Sequence, residues 1–138
     1  DDVIGRLEFD SVDPNALIVD IDADTLPTNT LTAINGIIDP MKNFPGDGTV
    51  PAAAVNQRYL LTNPLPAHPT NWAGASADKD DIIEYNGTSW TVSFDADSIS
   101  TTNFVTNTTS SDQFEWNGEE WFNSYEGIYK PAFWRLYL

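Results

Sequence analysis

The chain has 138 residues, enough for one domain that buries a continuous core without staples. It holds no cysteine, which removes disulfide frameworks and thiolate metal sites from consideration. Its 21 Asp and Glu against 6 Lys and Arg give a formal charge of −15, a sign that repels nucleic acid and anionic membranes alike. Compatible partners are a basic protein surface, divalent cations, or neutral ligands such as glycans. No apolar stretch reaches the length of a membrane span or of a signal peptide's apolar core. The start at Asp1, without methionine, reads as a processed product or an excised domain.

Val3 to Phe9 alternates, with Val3, Gly5, Leu7 and Phe9 on one side and Arg6 and Glu8 on the other, which predicts a short strand. Asp13-Pro14-Asn15 is a turn, and Ala16 to Ile21 is a second apolar run. Leu31, Ile34, Ile37 and Ile38 recur at helical spacing after a possible cap at Thr28 or Asn29, which predicts one short helix over 28–38. Asn43 to Pro51 is a loop. Gln57 to Leu61 starts a strand, and the Pro- and Gly-rich stretch Thr62 to Ala77 is a long irregular loop pinned by Trp72. From Asp81 onward the pattern is β throughout, with a short strand near Phe104-Val105 and a terminal strand over Phe133 to Leu138.

The clearest local feature is a repeat. Asp81-Ile-Ile-Glu-Tyr-Asn-Gly-Thr-Ser-Trp90 returns as Asp112-Gln-Phe-Glu-Trp-Asn-Gly-Glu-Glu-Trp121, with Asp, Glu, Asn, Gly and Trp in the same places. Asn86-Gly87 and Asn117-Gly118 are strong hairpin signals, and Asn-Gly suits the two positive-φ positions of a type I′ turn. A two-residue loop sets Tyr85 opposite Thr88 and Ile83 opposite Trp90; in the second copy, Trp116 faces Glu119 and Phe114 faces Trp121. Such aromatic pairs favour a structural role for Trp90 and Trp121. Glu84, Glu115 and Glu120 then occupy an outer face, in water or against a basic partner. Trp72, Trp116, Trp134 and Tyr137 are candidates for an assembly interface or a sugar-binding surface, with Tyr125 and Tyr129 beside them.

Catalytic material is thin. His68 is the sole histidine, so Ser-His or Cys-His catalysis and transition-metal coordination have little to draw on. Asp20, Asp22 and Asp24 open like an EF-hand loop, but Thr25 replaces its glycine and Leu31 its closing glutamate. That triplet, or Asp78, Asp80 and Asp81, remains a weak candidate for an irregular oxygen site beside the commoner solvated acidic edge. No cofactor motif is legible, and the expectation is that the chain is not an enzyme.

The segments Arg58-Tyr-Leu-Leu61, Asn71-Trp-Ala-Gly74 and Asp80-Asp-Ile-Ile-Glu-Tyr-Asn-Gly-Thr-Ser-Trp90 resemble small modules in structural proteins of tailed bacteriophages. The terminal stretch from Trp121 to Leu138 looks like the end of a virion component of a T4-like contractile-tailed phage. This likeness spans about residues 58–138, while residues 1–57 carry none. It implies a non-enzymatic tail, neck or baseplate-like virion protein that binds other virion proteins or copies of itself, through basic patches on the partner. A carbohydrate-binding or host-adhesion module using exposed tryptophans is the alternative. The expected architecture is a single β-rich α+β domain over 1–138, with short strands and the helix in 1–57 and the hairpins in 58–138. Its sheet is antiparallel or mixed.

Overall fold

The computed structural model describes residues 3–67 and 70–124. His68, the predicted terminal strand, Tyr125, Tyr129, Trp134 and Tyr137 lie outside the described residues. The chain divides into two compact units, one of Asp1–Leu26 with Asn123–Leu138 and one of Pro27–Phe122.

In the first unit, β1 (Gly5–Phe9) and β2 (Leu17–Ile21) form an antiparallel ribbon, with Leu7 opposite Val19 and Phe9 opposite Leu17. The intervening turn is held by short polar side chains. Asp10 Oδ1 accepts the Val12 amide at 2.7 Å, and Asp13 Oδ1 accepts the Asn15 amide at 2.9 Å. After β2 comes one 3-10 turn, Ala23–Thr25, capped by Asp22, whose Oδ1 accepts the Asp24 amide.

The second unit is a mixed four-stranded sheet facing a three-stranded one. β3 (Gly36–Ile38), β4 (Arg58–Leu61), β5 (Ile82–Tyr85) and β6 (Trp90–Phe94) lie side by side in that order. β3 and β4 are parallel, and the other neighbours are antiparallel. β7 (Asn103–Thr106), β8 (Gln113–Trp116) and β9 (Trp121–Asn123) make the second sheet. Every residue of β4 is buried because both faces of its sheet are covered. Tyr59, Leu61, Ile83 and Trp90 pack on one face with Val50, Trp72 and Ala77 from loops. Leu60, Ile82 and Phe94 pack on the other with Ile34, Val105 and Trp116.

Trp90 and Phe94 share sequence parity yet enter different cores. A bulge explains this: Ile83 faces Val92 while Ile82 faces Phe94, so Ser93 is the extra residue and Phe94 turns to the opposite face. The strand therefore serves both layers.

The helix expected over 28–38 is absent, and the segment is extended. The amides of Thr30 and Leu31 both donate to Phe104 O, Ile34 bridges Asn107 in parallel, and Gly36–Ile38 is β3. Backbone partners far along the chain outcompete a helix that Gly36 and the β-branched residues already disfavour. Helical structure among the described residues is limited to the 3-10 turn.

Both Asn-Gly hairpins form, in a register shifted by two residues from the expected one. Tyr85 faces Trp90, so the central turn residues are Gly87 and Thr88. Asn86 N donates to Ser89 O at 3.1 Å, while Asn86 Oδ1 accepts the amides of Thr88 and Ser89, each at 2.9 Å. Asn117 repeats this with Glu119 and Glu120. Gly87 (φ 97°) and Gly118 (φ 98°) have positive φ and the two asparagines do not, so the type I′ turn expected at Asn-Gly does not form. Asparagine here is the side-chain cap of the turn. A Cβ on Gly118 would lie 2.7 Å from Ser100 O, whereas one on Gly87 would meet only the Val55 side chain at 3.0 Å. Gly118→Ala is therefore expected to lower stability by about 2–3 kcal/mol and Gly87→Ala by about 1–2, as read by urea denaturation. Equal losses at the two turns would contradict this packing.

The loop before β4 is organised by one carboxylate. Asp47 Oδ1 accepts the amides of Thr49 and Val50, and Oδ2 accepts Asn43 Nδ2 and the Phe44 amide. The Val50 amide leads the effects that lower the pKa of Asp47 to about 2 from 3.8. A depressed acid contributes stability fully above its unfolded pKa and loses it as pH falls through the folded value. The stability gap between wild type and Asp47→Asn should thus be full above about pH 4 and close toward pH 2, as measured by urea midpoints across that window.

Candidate functional site

The repeated hairpins put their aromatic residues inward. Trp90 touches Tyr85, Tyr59 and Trp72 at ring-centroid distances of 5.1, 5.8 and 5.5 Å. In the second copy Trp116 and Trp121 lie 5.4 Å apart, and Phe94 packs on both. Trp116 Nε1 donates to Ile99 O at 2.7 Å, and Trp121 Nε1 donates to Asp80 O at 2.9 Å. The paired rings are Tyr85–Trp90 and Trp116–Trp121, which replaces the expected Ile83–Trp90 and Phe114–Trp121 pairs.

Of the tryptophans considered for an interface, Trp72 and Trp116 are core residues at 0 % and 2 % exposure. Neither offers a ring to a ligand. Trp72 was legible only as a loop anchor, because no periodicity in its Pro- and Gly-rich surroundings marks it as core.

The three glutamates do not share an outer face. Glu84 faces Arg58 across β4 and β5, and its Oε2 accepts the guanidinium Nη1. Arg58 is buried, and Asn35 Oδ1 takes its amide at 2.8 Å. Glu84 thus compensates an internal cation. Glu115 sits half-buried on β8 opposite Phe104, whereas Glu120 is exposed beside its hairpin turn. Sequence spacing aligned these residues by repeat, but the two copies belong to different sheets with different neighbours.

Asp81, considered in sequence for an oxygen site with Asp78 and Asp80, is buried and bonded to backbone amides by both oxygens. Oδ2 accepts the Asp78 amide at 2.8 Å and Oδ1 accepts the Ala96 amide at 2.9 Å, tying the turn before β5 to the connection after β6. Adjacent Asp80 has φ 72° and a raised pKa. Burial is the main cause, Asp81 and Glu120 add to it, and Lys79 opposes it. A raised acid destabilises the fold when ionised, and that cost disappears as pH falls through the folded pKa. Asp80→Asn is expected to raise the melting temperature at pH 7, since asparagine also tolerates positive φ, with the gain fading on acidification. A lower melting temperature at pH 7 would contradict this account of Asp80.

Asp20, Asp22 and Asp24 are all exposed, and Asp22 is occupied as a cap. Among the described residues no group of three acidic or histidine side chains converges on a metal position. The described cations are mostly committed: Arg58 to Glu84, Lys42 to Asp39 at 3.6 Å, and Arg6 to Glu8 at 3.7 Å. Surplus negative charge therefore dominates the described surface.

No family model, curated protein or solved structure matches the chain.

The feature with the character of a contact surface is the β1–β2 ribbon. Alternation puts Leu7, Phe9, Leu17, Val19 and Ile21 on one side, and Arg6, Glu8, Ile18 and Asp20 on the other. Leu7 is 49 % exposed, Phe9 80 % and Leu17 58 %. An apolar sheet face in that state is costly in water. The alternation of Val3 to Phe9 made the strand legible, but its exposure depends on packing that no short segment encodes.

Proposed function

We propose that this chain is a non-enzymatic structural or assembly protein of a tailed-phage virion, acting by docking on neighbouring subunits. The observation that carries the reading is the solvent-exposed apolar face of the β1–β2 ribbon. Contiguous apolar faces of this kind characterise surfaces that are covered in an assembly. The excess of carboxylates selects a neighbour with basic patches, and adds docking rate and specificity more than raw affinity. The resemblance of residues 58–138 to phage structural modules supplies the particle in which such docking has a purpose. The glycan-binding alternative is weakened because Trp72, Trp90 and Trp116 are consumed by the core.

The test is fractionation of virus particles from a lysate that expresses the chain. It should band with density-purified particles in a fixed ratio to the major structural proteins and remain after a moderate salt wash. Recovery only in the soluble fraction would refute the proposal.

A further inference from the structure

The outer edge of β1 is self-complementary. Asp22 N donates to Ile4 O at 2.8 Å and Asp10 N to Ala16 O at 3.1 Å, both continuing the β1–β2 register. Even-numbered residues of β1 therefore bond inward to β2, and Gly5, Leu7 and Phe9 direct their amides and carbonyls outward. No described strand pairs with that edge. A two-stranded ribbon is also short of the three or more strands that a sheet with one apolar face needs to be stable.

We infer that a second copy of this chain occupies the edge, with β1 pairing antiparallel to its symmetry mate about a two-fold axis at Leu7. The register decides the chemistry. Leu7 meets Leu7 of the other copy and Gly5 meets Phe9, each as a hydrogen-bonded pair. Arg6 meets Glu8 and Glu8 meets Arg6 at the closer non-bonded positions, giving two opposite-charge pairs. Phe9 covers the bare backbone of Gly5, a favourable aromatic–glycine match at a sheet edge. The result is a four-stranded sheet with one continuous apolar face, an isologous contact of the type closed dimers use. One edge buries little area and both copies are acidic, so the dimer is weak, about micromolar or looser. This inference rests on the docking reading and specifies one of its contacts.

The test is sedimentation velocity of the full chain over a concentration series reaching on the order of 100 μM at about 0.15 M salt, where charge repulsion is screened beyond roughly 8 Å. Wild type should show reversible monomer–dimer exchange. Glu8→Arg sets Arg against Arg, and Arg6→Glu sets Glu against Glu; each should weaken dimerisation by about tenfold. An equimolar mixture of the two variants should restore dimers, because every Arg again meets a Glu. Leu7→Pro removes an outward amide without touching the β2 ladder and should also abolish the dimer. A wild-type chain that stays monomeric, dimers indifferent to these variants, or dimers that form only once residues 125–138 are removed would overturn the inference. A monomer that nevertheless bands with virus particles would overturn self-pairing and leave the docking function standing.

Discussion

Trp72→Ala is expected to destabilise the second unit by about 3–5 kcal/mol, the range for emptying a fully buried aromatic site. The indole is 0 % exposed and packs edge-on against Trp90, with ring centroids 5.5 Å apart. It is the part of a strandless loop that closes one face of the four-stranded sheet, beside Tyr59, Leu61 and Ile83. Its Nε1 is buried and has no hydrogen-bond partner. Trp72→Phe removes that unpaired donor together with part of the ring, so it should cost much less than the alanine change. Urea denaturation of both variants checks the pair. A Trp72→Ala loss below about 1 kcal/mol would place this side chain outside the core.

Glu84→Ala is expected to cost about 3–5 kcal/mol, because it strands a buried guanidinium. The Arg58 side chain is 8 % exposed and its Nε already lacks a partner, while Glu84 is 32 % exposed. That asymmetry predicts the order of the two halves of the pair. Arg58→Met leaves an acid that still reaches water and fills the cavity with apolar atoms, so it should be the milder change. In the double variant the Glu84 penalty should largely vanish, giving a coupling of about 2 kcal/mol or more in a double-mutant cycle. Additive losses would show that Arg58 finds compensation elsewhere.

Features written in short-range chemistry were legible in the sequence. β5 and β8 follow from the Asn-Gly signals that they precede, β1 from the alternation of Val3 to Phe9, and β2 from the apolar run after Asp13-Pro14-Asn15. The mainly β architecture follows from the same signals. What the turn dipeptide concealed was its own register. Asn86 and Asn117 cap the turn through Oδ1, which moves the two-residue loop forward and pairs ring with ring. Local periodicity misled at Leu31 to Ile38, where the partners lie in β4 and β7. Parallel pairing across a long crossover leaves no mark in a short window. The candidate site was less legible. Spacing marks Glu84 as one member of a repeated acidic face, whereas its partner Arg58 comes from a strand 26 residues earlier in the chain. The exposure of Leu7, Phe9 and Leu17 on the ribbon depends on packing that the alternation of β1 does not encode.

The proposed docking of this chain on neighbouring subunits through the exposed apolar face of the β1–β2 ribbon is tested most directly by zero-length carboxylate-to-amine crosslinking of purified virus particles, read by mass spectrometry. The account predicts links from exposed acids of the ribbon, Glu8 and Asp20, to lysines of adjacent structural proteins. Particles that lack the chain, or that yield links only within it, would contradict that claim.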